Sequence, residues 1–218
     1  MTGACILPAM AKALPLLFLL LGCRQPDPPA ITAVWTDDFE RAEVGPDYLA
    51  TAPDAYRVEG GVLRSEKAYN HPLWLRRKLP ADAILELDVR SDSPHGDIKV
   101  EAWGDGSSHA RDKGAYTSSG YVFIHGGWSN TKSILARGNE HGSALVERTT
   151  PRVVQGQRYH WKIVRQGARI DWYVDDMSTP FLSLEDEQPL SGAGHEYFGF
   201  NDWEADLTFD NLRISPLK

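Results

Sequence analysis

The chain has 218 residues, with 30 Asp and Glu against 23 Lys and Arg, and a formal net charge of −7 at pH 7. An acidic surface repels phosphate backbones, so the composition argues against nucleic acid as a partner. The length suits one domain with a full core, and the only two cysteines, Cys5 and Cys23, offer little scope for disulfide stabilisation.

The N-terminal segment predicts export. An uninterrupted apolar run over residues 13–21 is followed by Gly22 and Cys23, and it is shorter than the roughly 20 residues that span a bilayer. This pattern resembles a bacterial lipoprotein signal peptide over residues 1–22. The resemblance implies cleavage before Cys23 and attachment of lipid to its thiol.

Two further features of this segment bear on its processing. Lys12 is the only early cation, so translation starts either at Met1 or, with a more compact signal, at Met10. Arg24 rather than Asp follows the lipidated cysteine. By the sorting behaviour of the lipoproteins that the segment resembles, this implies the outer membrane of a diderm envelope.

A proline-rich segment follows the cysteine. Residues 23–33 contain the run RQPDPPA, whose three prolines favour an extended, semi-rigid tether. The rest of the chain, residues 34–218, shows neither a second linker nor an internal repeat. We therefore expect one lipid-tethered domain, and we expect it to be a monomer.

Strand signals dominate this domain. Residues 84–90 and 98–103 alternate apolar with charged side chains, which is typical of half-buried strands. Residues 159–165 and 169–175 flank a short Gly-containing turn and predict a hairpin. Residues 206–214 predict a last strand. Roughly a dozen short strands separated by turn residues predict an all-β, antiparallel sandwich.

The order of several segments adds a family resemblance. The segments are 37–40 (DDFE), 56–63 (YRVEGGVL), 85–90 (LELDVR), 156–164 (GQRYHWKIV), 172–176 (WYVDD) and 209–214 (FDNLRI). Together they resemble the concanavalin A-like lectin/glucanase jelly rolls, and among these the laminin-G-like and 3-keto-disaccharide hydrolase-type domains. The resemblance implies a jelly-roll sandwich with a concave face, in a superfamily that includes lectins, glycosidases, lyases and adhesion modules. A polysaccharide or another glycan is the ligand that we expect on this face.

Period-2 alternation sorts the side chains of each strand between the two faces of its sheet. In residues 84–90 and 98–103 it points the aliphatic side chains inward. In residues 121–125 it assigns Val122 and Ile124 to the core. The outward set then forms a candidate glycan-binding strip of aromatic and polar side chains: Arg90, Trp103, Tyr121 and His125.

Two turns add rim residues to the candidate binding site. Trp128 lies in a turn rich in Gly, Ser and Asn, and Asn201, Asp202 and Trp203 form another polar turn. Flat aromatic faces stack on sugar rings, and carboxylates and amides pair with sugar hydroxyls. Each Trp has an alternative role in core packing or loop anchoring.

Catalysis is the main alternative to simple binding. Glu86 and Asp88 match the first two positions of the E-x-D-x-(x)-E strand of laminarinase-type glucanases, but Arg90 stands near the place of the last Glu. The alternative is that both are solvated strand-face charges. A second hypothesis pairs Glu101 with Glu86 or Asp88 across neighbouring strands, at the spacing of a retaining glycosidase.

A structural ion is a further expectation from the resemblance. Jelly rolls of this type hold Ca²⁺ where the first and last strands pair, and Asp37, Asp38 and Asp210 supply the hard oxygen ligands that calcium prefers. A turn hydrogen bond from the Asp210 side chain is the alternative.

The sequence thus predicts an envelope-anchored, non-catalytic carbohydrate-binding lipoprotein. A glycoside hydrolase or polysaccharide lyase on the same fold is the second hypothesis, and a structural or protein-interaction module is the third. Two convergent acid/base groups in one cleft would favour an enzyme, whereas an exposed aromatic platform without them would favour a lectin.

Overall fold

The chain folds as an antiparallel β-sandwich in a computed structural model, which describes residues 27–112, 116–143 and 145–217. Almost all of the regular structure in these ranges is strand, and the strands form two sheets. The prediction of an all-β antiparallel sandwich is confirmed. Cys23 and the proposed signal peptide lie outside the described residues.

The first sheet consists of eight strands in the described part of the chain. They are β1 (Trp35–Asp37), β3 (Tyr56–Glu59), β4 (Val62–Glu66), β6 (Ala83–Ser91), β11 (Arg158–Gln166), β12 (Arg169–Val174), β13 (Leu182–Glu185) and β15 (Asp206–Pro216). Their order is β13-β12-β11-β6-β15-β4-β3, and β1 pairs with β15. The first and last strands of the fold are therefore neighbours.

The second sheet has seven strands within the described ranges. They are β2 (Tyr48–Ala50), β5 (Leu73–Leu75), β7 (Ile98–Gly104), β8 (Tyr121–Gly126), β9 (Lys132–Arg137), β10 (Leu145–Arg148) and β14 (Tyr197–Asn201). Their order is β10-β9-β8-β7-β14-β5-β2. The short helical segments are a 3₁₀ turn, Pro53–Ala55, and a turn at Gly127–Asn130.

Alternation correctly assigns the faces of the first sheet. Leu85, Leu87 and Val89 of β6 are at most 1% exposed and face the other sheet. The predicted hairpin of β11 and β12 is present, and in its register Ile163 pairs with Trp172. Apart from Arg165 and Ser91, which are buried, the polar residues of these strands lie on one face, so hydrophobic burial determines their orientation.

The orientation of β8 differs from the prediction. Tyr121 and Phe123 point between the sheets into the main core, and the buried His125 ring contacts the core rings of Trp161 and Trp172. Val122 and Ile124 belong to a small separate apolar cluster. Both faces of β8 are apolar, so alternation contains no polar face to set the phase. The prediction that Tyr121 and His125 face a ligand is wrong.

A β-bulge reverses the direction of Trp103. Tyr197 of β14 pairs with Gly104 and Phe198 pairs with Ala102, so Trp103 is an extra residue in β7 and has a φ of 55°. Its indole is fully buried and donates a hydrogen bond from Nε1 to the Pro80 carbonyl at 3.0 Å. The bulge thereby turns into the core a side chain that strict alternation assigns outside.

The described end of the proposed tether contacts the domain. Ala30 forms a parallel bridge with Lys78, and the Ile31 amide donates to the Lys78 carbonyl at 2.9 Å. Ile31 is 6% exposed and belongs to the core. Across residues 27–112, 116–143 and 145–217, the structure contains no helix with the length and apolarity to cross a membrane.

Candidate functional site

A cavity of about 490 Å³ opens on the outer face of the second sheet. Its volume falls in the range of small-molecule sites, about 300–1,000 Å³. Strands β7 and β8 contribute Lys99 and Ile124. Loops contribute the remaining walls, which are Asn70, Ser93, His95, Asp97, Tyr116, Trp128, Ser129, Glu140, His141, Trp203, Glu204 and Ala205. Aromatic rings and hydrogen-bonding groups therefore surround one space.

Trp128 reaches this cavity from an unusual turn. Trp128, Ser129 and Asn130 have φ values of 51°, 57° and 63°, so three successive residues other than glycine are left-handed. Each such residue costs about 1–2 kcal/mol. Because strained backbone concentrates at functional sites, this turn is a candidate binding element.

Neighbouring loops hold the Trp128 turn in place. The Asn130 side chain donates to the Val153 carbonyl at 2.7 Å and accepts from the Val153 amide at 2.9 Å. The Asp97 amide donates to the Gly126 carbonyl at 2.9 Å. A Cβ at Gly96 would lie 2.7 Å from that carbonyl, so this close approach requires glycine.

Trp203 also lines the cavity. Its ring meets Tyr69 edge-on, with centroids 5.3 Å apart, and its carbonyl accepts from the Tyr69 amide at 3.0 Å. Asp202 lies beneath, where its carboxylate accepts hydrogen bonds from the Ser65 hydroxyl and the Ala68 amide. Burial raises the pKa of Asp202 to about 7 despite these hydrogen bonds.

Lys99 is the charged centre of the cavity floor. It is 1% exposed, and its Nζ lies 2.7 Å from Glu140 Oε2 and donates to Asn70 Oδ1 at 2.7 Å. Burial disfavours the ammonium, but the carboxylates of Glu140 and Asp97 outweigh it and raise the pKa of Lys99. The lysine therefore stays charged and fixes the Glu140 and Asn70 side chains.

Glu101 lies behind this floor and is fully buried. Its carboxylate accepts hydrogen bonds from Tyr116 at 2.8 Å, from Asn201 at 2.6 Å, and from the Ser118 hydroxyl. Burial raises the pKa of Glu101 to about 7, and these donors act in the opposite direction. Asn201, predicted to contact a ligand, instead links Glu101 to the Asn70 side chain at 3.4 Å.

The proposed pairing of Glu101 with Glu86 or Asp88 is wrong. Strand β6 pairs with β11 and β15, whereas β7 pairs with β8 and β14. The residues therefore belong to different sheets. Glu86 receives a hydrogen bond from Arg213 at 2.9 Å, and Asp88 lies 2.8 Å from His160 Nδ1, both on the outer face of the first sheet.

Arg90 also lies on the first sheet, and its Nη2 donates to Asp92 Oδ2 at 2.7 Å. It is not among the residues that line the cavity. Trp103, Tyr121 and His125 are in the core, so they do not form a strip with Arg90. The structure brings only Trp128 and Trp203 of the predicted ligand residues into the cavity wall, with Asn201 and Asp202 behind it.

Two of the candidate calcium ligands, Asp37 and Asp210, have protein partners in the structure. The Asp37 carboxylate accepts from both terminal nitrogens of Arg41, at 2.5 and 2.9 Å, and from Tyr48 at 2.7 Å. Asp210 caps the Asn211 amide at 2.8 Å. No group of three or more His, Cys, Asp and Glu side chains in the described ranges is arranged to hold a metal ion.

Several cavity residues were not predicted from the sequence. Alternation places Lys99 on the outer face of β7, but it gives no sign that Asp97, Glu140 and Asn70 gather around it. These three residues come from separate loops between β6 and β7, β9 and β10, and β4 and β5. Their convergence depends on long-range strand order, which local patterns do not encode.

Solved structures of similar fold support the architecture. One is described in connection with endo-acting O-glycanases that prominent members of the human gut microbiota express to initiate mucin breakdown. It has a TM-score of 0.60 at 13% sequence identity, and the match covers 85% of this chain and 100% of that chain. The laminarinase from Flavobacterium sp. UMI-01 has a TM-score of 0.54 at 10% identity, covering 84% and 99%. The carbohydrate-binding module CBM66 from Bacillus subtilis has a TM-score of 0.50 at 17% identity, covering 79% and 98%.

At these identities the similarity shows the fold alone, and it matches the jelly roll that the sequence resemblance implied. No curated protein matches the sequence significantly. A family model described as "Farnesoic acid 0-methyl transferase" matches residues 90–213, which is more than half of the chain and includes the strands and loops that carry most of the cavity. The chain therefore belongs to this family.

Proposed function

We propose that this protein binds a glycan in the cavity between Trp128 and Trp203. The observation that carries this proposal is that two partly exposed indoles from separate loops line one cavity together with Asn70, Asp97 and Glu140. Indole faces stack on the apolar faces of sugar rings, and amides and carboxylates accept or donate to sugar hydroxyls. The similar folds of the O-glycanase, laminarinase and carbohydrate-binding-module structures agree with this ligand class.

We favour binding over cleavage. Retaining glycosidases need two carboxylates about 5 Å apart on the reacting bond. Glu86 and Asp88 lie on the other sheet, and Glu101 is fully buried behind Tyr116 and Ser118. Of the carboxylates that line the cavity, Glu140 is bound to Lys99 at 2.7 Å, and Asp97 interacts electrostatically with the same ammonium. The family description names a methyl transfer. The lining of this cavity supports sugar recognition more directly than that reaction.

A glycan array followed by calorimetric titration tests the proposal. We expect Trp128→Ala and Trp203→Ala each to weaken glycan binding at least tenfold, because each removes a stacking surface. Trp35→Ala is the matched control, since Trp35 is also partly exposed and lies near a cation, with Arg77 5.6 Å from its ring. The proposal would be contradicted if both cavity variants bound the glycan as tightly as the wild type, or if the wild type bound no glycan.

An assay for new reducing ends, run on every glycan that binds, separates binding from hydrolysis. We expect no increase in reducing ends with the wild-type protein. A lyase would be detected instead by absorbance of the unsaturated product. Turnover in either assay would show that the protein is an enzyme and would contradict the non-catalytic role.

We further propose that lipid on Cys23 anchors the domain in the outer membrane of its host. The apolar run over residues 13–21 and the Gly22-Cys23 junction support this proposal. Metabolic labelling with a palmitate analogue, followed by membrane fractionation, tests it. We expect Cys23→Ser to abolish labelling and to release the protein from the membrane; labelling that survives the substitution would refute the anchor.

A further inference from the structure

A second cavity of about 410 Å³ adjoins the first on the outer face of the second sheet. The two share Trp128, Glu140 and His141 as a common wall. The first cavity includes residues of β7 and β8, and the second includes Lys132 of β9 together with Leu145 and Glu147 of β10. Because these strands are neighbours in that order, the cavities succeed one another across the strands toward the β10 edge.

The common wall is partly aromatic. The Trp128 and His141 rings meet edge-on with centroids 5.6 Å apart, and Lys132 Nζ lies 4.4 Å from the Trp128 ring centroid. Beneath them, Trp128 and Leu145 pack on the apolar cluster of Val122, Ile124, Ile134 and Ala136. A chain of sugar rings that crosses this wall would contact Trp128 from both cavities.

The charges along the two cavities exclude a polyanion. Both lysines are already paired, Lys99 with Glu140 at 2.7 Å and Lys132 with Glu147 at 2.9 Å. Asp97 and Glu204 add two further carboxylates to the lining of the first cavity. A uronate or sulfate group would therefore meet net negative charge, whereas neutral hydroxyls would find both donors and acceptors.

We propose that the two cavities are adjacent subsites of one groove that binds an uncharged glycan chain of at least two residues, with Trp128 at the junction. This inference rests on the proposed function and specifies its ligand. A monosaccharide fills only one subsite. A longer chain gains the contacts of the second cavity, and its affinity rises until both subsites are filled.

Calorimetric titration with neutral gluco-, manno- and N-acetylglucosamine oligosaccharides of one to six residues tests the proposal, with oligogalacturonides of the same lengths as the acidic series. We expect affinity for at least one neutral series to rise tenfold or more between one residue and three, and then to level off. We expect the acidic series to bind at least tenfold more weakly at equal length.

Variants of the second cavity separate the two subsites. Leu145→Ala and Glu147→Ala remove groups that line only the second cavity, and both positions are at least partly exposed, so the fold should persist. We expect each to weaken binding of the trisaccharide three- to tenfold while binding of the monosaccharide is unchanged. Trp203→Ala, in the first cavity, should weaken binding of both.

The outcomes distinguish this inference from the proposed function. The two-subsite inference would be overturned if the protein bound one and three sugar residues with equal affinity, or if it preferred oligogalacturonides. If Trp128→Ala also lost binding in that case, glycan binding in the cavity would still stand. No binding of any glycan, either in these series or on the array, would overturn both.

Discussion

Asn130 and Val153 are joined by two hydrogen bonds, one in each direction, at 2.7 and 2.9 Å. This pair clamps a left-handed turn to a distant loop and so sets the position of Trp128 in the cavity wall. Asparagine suits the role because its short amide tolerates left-handed backbone and offers both a donor and an acceptor.

The Asn130–Val153 pair yields the first prediction. Asn130→Ala removes both hydrogen bonds and keeps a Cβ at φ 63°, so we expect a loss of about 1–3 kcal/mol in the free energy of unfolding. Asn130→Gly removes the same bonds without the Cβ. The Gly variant should be more stable than the Ala variant by about 1 kcal/mol. Urea denaturation measures this difference, and equal stability of the two variants would contradict backbone strain at residue 130.

The buried ion pair of Lys99 and Glu140 yields the second prediction. Lys99→Met leaves the Glu140 and Asp97 carboxylates without their cation, so we expect the free energy of unfolding to fall by about 3–5 kcal/mol. Adding Glu140→Gln should recover part of the loss. Arg57→Met is the control, because its surface pair with Glu59 contributes at most about 1 kcal/mol. A Lys99→Met variant as stable as the control would refute the role of the pair.

The carboxyl of Glu101 yields a prediction about pH. Its pKa rises from 4.5 to about 7 on folding because of burial, so between these pH values the unfolded chain releases a proton that the folded chain keeps. The wild type should therefore lose stability relative to Glu101→Gln as pH rises from 4.5 to 7. Urea denaturation of both proteins at several pH values measures the difference, and a constant difference would contradict the raised pKa.

His125 should show the opposite dependence. Burial lowers its pKa from 6.5 to about 4, so between these values the unfolded chain binds a proton that the folded chain excludes. Relative to His125→Phe, the wild type should lose on the order of 2–3 kcal/mol as pH falls from 6.5 to 4. Thermal unfolding across this interval provides the test. A difference that does not change with pH would place the imidazole in solvent.

The phase of β8 can be tested by truncation. Phe123 is fully buried between the sheets and lies 5.7 Å from the Trp172 ring, so Phe123→Ala should cost about 3–5 kcal/mol. Val154→Ala is a suitable comparison because Val154 is 57% exposed, and it should change stability by less than about 0.5 kcal/mol. Similar stabilities of the two variants would indicate that Phe123 faces outward.

The sequence predicted what local burial patterns determine. The orientation of β6 and the β11–β12 hairpin followed from the alternation of apolar and polar residues. Trp128 and Trp203, which were predicted to lie in polar turns, are partly exposed. The faces of β8 were inverted because both are apolar. Trp103 was misplaced because a single-residue bulge reverses the alternation, and such a bulge has no sequence mark here.

Long-range pairing explains the remaining errors. Glu86 and Glu101 lie on consecutive strands along the chain, which suggested that they are neighbours in one sheet. Instead β6 pairs with β11 and β15, strands more than 60 residues away in the sequence. The same long-range strand order gathers Asn70, Asp97 and Glu140 around Lys99. The cavity therefore could not be predicted from local sequence patterns.

The division of the tryptophans gives the protein a built-in optical probe. Trp74, Trp103, Trp161 and Trp172 are fully buried, whereas Trp35, Trp128 and Trp203 are partly exposed. An aqueous quencher such as iodide should therefore reach only the second group. A saccharide seated in the cavity should shield two of these three emitters and leave Trp35 quenchable, so fluorescence alone reports occupancy without any label.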